Sequence, residues 1–432
     1  MMKRNGIRYL ILALLITLAP VLSVQAIELS AIDATLYGFL DARYGERLQN
    51  DPYQEDASLN EARLQLGLNR MGDWITLQLR ADFYHDEPVD QGDVELEPGR
   101  GWVDLREANL LFTPHDIMDV KLGRQILTWG TGDLVFINDL FPKDWQSFFI
   151  GRDEEYLKAP SDALLVSLFP AAFNIDLVYV PRFDPDRYIR GERISYFNPS
   201  LGRFAGQDAI VDPLLPDDWG DDAEYALRLS KNLGGYELSL YGYDGYWKSP
   251  SGFDPVTGRA SFPELSVYGA SLRGTVGPGI GNVEIGYYDS RQDRDGDDPF
   301  VPNSELRLLV GYEQELVRNV TLAGQYYLDA LQKYGKYEQS LPVGMAKRDE
   351  YRHLLTARLT WMLLNQNLKV SLFAYYSPSD EDVYLRPKLT YKISDAWMVT
   401  VGSNIFSGEE DYTFFGQFEN NTNLYAGLRY SF

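Results

Sequence analysis

LNEARLQLGLNRMGDWITLQLRADFYH, residues 59–85, is two runs of one kind joined by a short break. The first run places Ala62, Leu64, Leu66 and Leu68 on one side and Glu61, Arg63, Gln65 and Asn69 on the other. The second places Ile75, Leu77, Leu79, Ala81 and Phe83 against Thr76, Gln78, Arg80, Asp82 and Tyr84. A period of two gives a strand with two unlike faces, whereas a helical period of 3.6 would scatter these residues around an axis. The break Arg70-Met71-Gly72-Asp73 is turn-sized, so the two runs are antiparallel neighbours.

The same alternation recurs along the chain. Leu306, Leu308, Val310 and Tyr312 oppose Glu305, Arg307 and Gly311; Val383, Leu385, Pro387, Leu389 and Tyr391 oppose Tyr384, Arg386, Lys388 and Thr390. Leu424, Ala426, Leu428, Tyr430 and Phe432 share a face at the C-terminus. The pattern predicts strands near 34–45, 59–70, 73–85, 102–113, 117–128, 162–169, 172–182, 223–233, 236–247, 264–276, 280–291, 303–316, 319–332, 350–363, 366–377, 381–393, 396–407 and 421–432. Short connections (RMGD, TPHD, LGG, GPGIGN, VRN, LNQN, SDA) alternate with long ones near 46–58, 86–101, 129–161, 183–222, 248–263, 292–302, 333–349 and 408–420; the connection at 378–380 is short on the long side. Sorted loop lengths are what a meander crossing a membrane requires, with short turns on one side and long loops on the other. The fold expected is an all-β, closed, antiparallel transmembrane β-barrel of about eighteen strands, with sixteen as the alternative count. The last strand then pairs with the first and removes the sheet edges.

Composition fits this reading. The N-terminus carries Lys3, Arg4 and Arg8, an apolar run from Tyr9 to Leu22 and the small-residue site Val24-Gln25-Ala26, the layout of a secretory signal peptide over 1–26. A membrane-anchoring helix is the alternative; Thr17, Pro20 and the length of the run count against it. Residues 27–432 then form one barrel domain. There is no cysteine, so disulfides and thiolate metal sites are excluded. Thirty tyrosines, 21 phenylalanines and eight tryptophans suit a water–lipid boundary. A net charge of −23 argues against nucleic acid as a partner. The partners expected are outer-membrane lipid, the outer-membrane assembly machinery and a small polar solute, with no cofactor.

The charges on the predicted inner face are of both signs. Pore-lining candidates are Arg63, Arg80, Arg228, Arg273, Arg307, Arg358, Lys369, Arg386, Lys388 and Arg429, with Asp82 and Glu305 opposing them. Placed on the lipid side at mid-membrane, each Arg or Lys would cost about 2–4 kcal/mol. Opposed basic and acidic walls orient polar solutes and give selectivity; the alternative is paired charge that fills the barrel. Arg124 has the parity of the lipid-facing Val120 and Leu122, and a bulge at Gly123 is expected to turn it inward. The following segment, 131–163, carries Leu134, Phe136, Ile137, Leu140, Phe141, Trp145, Phe148, Phe149 and Ile150. That is too apolar for a solvated loop, and the segment is expected to fold into the lumen.

The run LREANLLFTPHDIMDVKLGRQILTWG, residues 105–130, resembles the strand–turn–strand unit ending in Gly-Arg-Gln of porin-like Gram-negative outer-membrane barrels, including the eighteen-stranded alginate-export-like family. The resemblance implies passage of a polar or anionic solute through a charged pore. It also implies that an aromatic C-terminus, Phe432 with Tyr430 on the same face, serves as the assembly signal.

No catalytic set is read. His85, His115 and His353 are the only histidines, and none has a serine or an acidic pair placed as a hydrolase or rim protease needs. Asp293, Asp295 and Asp297 around Gly296 resemble a calcium loop but lack its downstream bidentate glutamate. The functional expectation is a porin-like channel for diffusion of small polar or charged solutes; the alternative is a barrel scaffold or receptor with a plugged lumen.

Overall fold

The computed structural model describes residues 26–89 and 92–432. Apart from Ala26, the leader expected over 1–26 lies outside the described residues. Eighteen long strands follow: β1 (Ala34–Arg47), β2 (Ala57–Met71), β3 (Ile75–Asp86), β4 (Val103–His115), β5 (Met118–Gln125), β6 (Ser161–Leu168), β7 (Asn174–Val180), β8 (Glu224–Leu233), β9 (Tyr236–Tyr246), β10 (Glu264–Val276), β11 (Gly279–Ser290), β12 (Glu305–Val317), β13 (Val320–Leu331), β14 (Tyr351–Leu363), β15 (Leu368–Ser377), β16 (Asp382–Lys392), β17 (Trp397–Gly408) and β18 (Asn423–Ser431).

Each strand pairs antiparallel with the next in the chain, and β18 returns to β1 from Phe39↔Ser431 to Arg47↔Asn423. Phe432 completes the seam: its N–H donates to Gly38 O at 3.0 Å, and Gly38 N–H donates back at 3.0 Å. A three-residue strand, Ile27–Leu29, pairs with Ala34–Leu36 and prolongs the seam beyond β18. The result is a closed eighteen-stranded barrel, which leaves no open edge for hydrocarbon to desolvate.

Local chemistry explains the turns and the two faces. Between β8 and β9 the hairpin has two residues, Gly234 and Gly235, at φ 60° and 90°. Two successive positive φ values match the strand twist and favour glycine at both sites. Outward residues are the apolar half of each alternation, such as Leu122, Leu177, Leu240, Leu272, Val310, Leu355, Leu372, Val401 and Leu428, all exposed. Exposed aromatics flank this band. Tyr225, Tyr268, Tyr287, Tyr326 and Tyr376 lie toward the long-loop end; Trp74, Tyr236, Tyr312, Trp361 and Tyr391 lie toward the short-turn end. Two aromatic girdles mark the water boundaries of a membrane barrel.

The structure corrects two details. The ladder shows no register shift across Gly123, although Gly123 has a φ of 113°. The bulge lies in β4, where the pairing passes from Arg80↔Glu107 to Ala81↔Leu105 and leaves Arg106 as the extra residue. The fifth strand also ends at Gln125, not near residue 128, because the chain there leaves the wall for the barrel interior.

Candidate functional site

The interior is filled unevenly by the segment between β5 and β6. Its first lobe runs along the inner faces of β9 to β15. Trp129 packs on Tyr241, with ring centroids 6.1 Å apart. Glu284 of β11, only 1% exposed, accepts four hydrogen bonds from the lobe. They come from Thr131 N–H (2.7 Å) and hydroxyl (3.0 Å), and from Asn138 N–H (2.8 Å) and side-chain amide (3.0 Å). Gln325 of β13 bonds both the N–H and the C=O of Asp133, at 2.7 and 2.8 Å. Tyr375 of β15 donates to Leu134 O at 2.9 Å.

The second lobe lies against β16 to β18 and β1 to β3. It contains α1 (Trp145–Ile150), whose N-cap is Asp144, accepting from Ser147 N–H at 2.7 Å. Gly151 ends the helix at φ 96°, and a Cβ there would meet the Tyr425 ring at 2.3 Å. Phe148 and Phe149 enter a buried aromatic cluster with Tyr384, Phe406 and Phe418; the Tyr384 and Phe406 rings stack at 4.4 Å.

Facing the second lobe is a basic wall. Arg358 bonds Asp133 (2.6 and 2.8 Å) and approaches Glu154 at 3.4 Å, so it touches both lobes. Arg386 lies 3.7 Å from Glu154 with its guanidinium over the Phe148 ring. Lys388 reaches Asp153 at 3.0 Å; Arg429 reaches Asp153 at 2.7 Å and Asp41 at 2.9 Å. Arg43 joins Asp41 and Asp153, each at 2.7 Å. Burial alone would raise the Asp153 carboxyl. Arg43, Lys388 and Arg429 around it hold it well below the usual carboxylate range. Burial likewise opposes ionisation of Glu154, and Arg358 and Arg386 keep it below its ordinary value.

Across the lobe, Arg63 is clamped by Glu61 (2.7 Å) and Asp82, with its guanidinium over the Tyr156 ring, and Arg152 bonds Glu61 at 2.9 Å. A second inward loop between β7 and β8 locks above this. Arg187 bonds Asp104 at 2.7 and 2.9 Å, Arg193 bonds Ser58 O and Asp86, and Asp186 accepts from Lys143 N–H and Trp145 Nε1.

Among the described residues, two cavities border the first lobe. The outer one, about 1870 Å³, opens among the long loops and is floored by Leu134, Val135, Phe136, Leu140 and Trp145. The inner one, about 170 Å³, is lined by Thr128, Thr131, Lys158, Arg273 and Glu284. Val135, Phe136 and Asp139 line both and form the partition between them.

The remaining sequence candidates fall in several places. Arg228 faces inward onto Asp176 (2.6 Å) below Trp129. Arg80 pairs with Glu107 at 3.2 Å. Arg307 pairs with Glu305 at 2.6 Å over the Tyr288 ring, in the outer cavity. Arg273 and Lys369 are exposed, with no ion pair among the described residues. Arg124 is a correction to the inner set. It keeps the outward parity of Leu122 and is held by Asp162 (2.8 Å) and the carbonyls of Leu105 and Leu96.

The calcium candidates are engaged within and beside their own loop. Asp293 spends its oxygens on the N–H groups of Gly296, Asp297 and Asp298, while Asp295 and Asp297 turn toward Lys336. Among the described residues no cluster suits a metal. Tyr430 packs on Trp397 at 4.9 Å. His353 stacks on Tyr326 on the outward face, and His115 lies at the turn end of β4. Sequence reasoning passed over Glu284, Gln325 and Arg43 as anchors, and over the loop acids Asp133, Asp153 and Glu154. Arg43 lies within the predicted strand 34–45, but nothing local marked what it meets.

No protein-family model and no curated protein matches the chain. Solved structures do. OccAB4 of Acinetobacter baumannii aligns over 95% of this chain and 100% of its own, at 10% identity and TM-score 0.56. OccD3 (OpdP) of Pseudomonas aeruginosa aligns over 95% and 93%, at 11% identity and TM-score 0.55. OccAB3 of Acinetobacter baumannii aligns over 93% and 99%, at 12% identity and TM-score 0.54. The fold is that of these Occ barrels. At such identities the likeness concerns fold alone, and it does not support the alginate-export-like resemblance.

Proposed function

We propose that this chain is a porin-like channel of a bacterial outer membrane, through which small polar or charged solutes diffuse. One observation carries the reading. Inside a closed barrel with an apolar, aromatic-girdled exterior, two cavities meet at a thin partition, with charged walls of both signs around them. A channel needs that arrangement: water and fixed charge inside, hydrocarbon-compatible surface outside. The segment 131–163 is the constriction, and Arg358, Arg386, Lys388 and Arg429 with Asp133, Asp153 and Glu154 set its field. The chain is not an enzyme in this reading. Phe432, at the seam, is the group that the assembly machinery recognises.

A scaffold or receptor with a plugged lumen is the second reading, and the buried aromatic cluster around α1 favours it. Liposome swelling separates the two. Proteoliposomes that swell in isosmotic glycine and arabinose support the channel. Proteoliposomes that stay inert to both, with protein shown to be inserted, support the scaffold.

A further inference from the structure

The outer cavity is built for more than water. Leu134, Phe136, Leu140 and Trp145 are only partly buried and form its floor. Higher on its wall, Phe415 packs on Tyr375 and Tyr384, and beside it Tyr412 and Phe414 are each 45% exposed. A passage for strongly hydrated solutes has no use for such a surface, which instead gains free energy by covering an apolar body.

The charge around this surface is one-sided. All seven lysines and arginines that line the cavity are ion-paired to carboxylates, Arg307 to Glu305 and Arg352 to Asp380 among them. Glu381, Glu409 and Glu410 line it too, and among the described residues no cation pairs with them. Glu381 and Glu409 instead lie side by side, with Glu409 N–H donating to Glu381 O at 3.3 Å. Asp329, 6% exposed, also lines the cavity; its Oδ2 pairs with Arg348 at 3.4 Å, and its Oδ1 has no hydrogen-bond donor. Positive charge in the cavity is already spent, negative charge is in surplus, and one buried carboxylate oxygen lacks a donor.

We propose that the outer cavity is a recognition site for small organic cations with an aromatic or branched apolar body. The body covers the Phe136–Trp145 floor or the Phe414 face, and the ammonium group turns to the arc of Asp329, Glu381 and Glu409. An ammonium supplies the N–H donor that Asp329 Oδ1 lacks, and it is attracted to the faces of exposed aromatic rings. An anion of the same shape finds no unpaired cation. At about 1870 Å³ the cavity exceeds the roughly 300–1,000 Å³ of an enclosing ligand pocket. It therefore holds such a solute loosely, as a station before the partition. This deepens the channel reading for the route onward, but the binding itself does not depend on it.

The test uses the full-length protein folded in detergent. Trp145 and Trp247 line the cavity and report occupancy through their emission. 2-Phenylethylammonium, ethylammonium and phenylacetate are titrated in parallel at low salt. The proposal expects a saturable emission change for 2-phenylethylammonium at concentrations where the other two give none. Replacing Glu381, Glu409 and Glu410 together by Gln, all three exposed, weakens it about tenfold. Phenylacetate binding as tightly as 2-phenylethylammonium overturns the proposal, and so does unchanged affinity in the triple variant. Selective binding by a protein that does not conduct leaves the proposal standing and removes the channel reading. Conduction without selective binding does the reverse.

Discussion

Glu284→Ala tests how the constriction is held. Its carboxylate, on β11, receives two backbone N–H groups and two side-chain donors from the first lobe. Hydrogen bonds to a charged acceptor are worth about 1.5–3 kcal/mol each, and a buried N–H left unpaired costs about 1–3 kcal/mol. Truncation leaves Thr131 N–H and Asn138 N–H without their acceptor. Water entering the vacated space recovers part of the loss, so the lobe loses about 3–5 kcal/mol of docking free energy. Each 1.4 kcal/mol is about tenfold, so the docked-to-undocked ratio falls by roughly two to three and a half orders of magnitude. Gln325 and Arg358 still hold Asp133, and the strands pair without the lobe, so the barrel persists. Hydrogen exchange read by mass spectrometry over residues 128–139 should accelerate strongly, with the strand peptides unchanged. Glu284→Gln keeps one acceptor oxygen and should fall between the variant and the parent. Equal exchange in Glu284→Ala and the parent would refute Glu284 as the anchor.

Other outcomes follow from the same geometry. Arg273→Ala with Lys369→Ala removes two exposed inward cations that have no carboxylate partner, and should move the reversal potential toward cation preference. The shift should shrink in 1 M salt, where the screening length is about 3 Å; Arg386→Ala should chiefly destabilise, because that guanidinium is buried against Phe148. Deleting Phe432 removes the two seam hydrogen bonds to Gly38 and should lower the yield of heat-modifiable, membrane-inserted barrel, measured on unheated gels. Asp184, in the loop after β7, is pushed up to about 7 by burial and by Glu224, against the pull of Lys248. The docked loop therefore binds a proton that the released loop, near its ordinary 3.8, gives up. Docking is favoured as pH falls toward 4 and weakens as pH rises to 7. Exchange over 181–195, corrected for intrinsic rates, should be faster at pH 8 than at pH 5.

The wall of the barrel was legible because its rule is local. In 59–85 every second residue declares its face, and such runs gave all eighteen strands to within a few residues. The exceptions have physical causes. The Arg106 bulge does break the count, and the alternation reading passed over it: Leu105 and Glu107, two apart, should share a face, yet they pair with the outward Ala81 and the inward Arg80, and the successive polar residues Arg106 and Glu107 are its only mark in the sequence. Gly123 looked like a bulge and is a regular ladder position with an unusual φ. The site was less legible because its contacts are non-local. Arg358 meets Asp133 from 225 residues away, and Asn423 meets Phe149 O from 274. Alternation says which residues point inward, but not which loop comes to meet them. The second inward loop is the clearest case. Arg187 and Arg193 sit in a long, polar, Pro- and Asp-containing stretch that reads as solvated, yet both are buried against Asp104 and Asp86.

The most direct measurement is single-channel current across a planar bilayer, for the intact protein and for a variant in which residues 134–150 are replaced by a short Gly-Ser linker. A channel narrowed by its own inserted segment gives small, discrete conductance steps for the intact protein, and larger, less selective steps for the variant. An intact protein that inserts but carries no current, beside a variant that conducts freely, would contradict the account and establish a barrel closed by its plug.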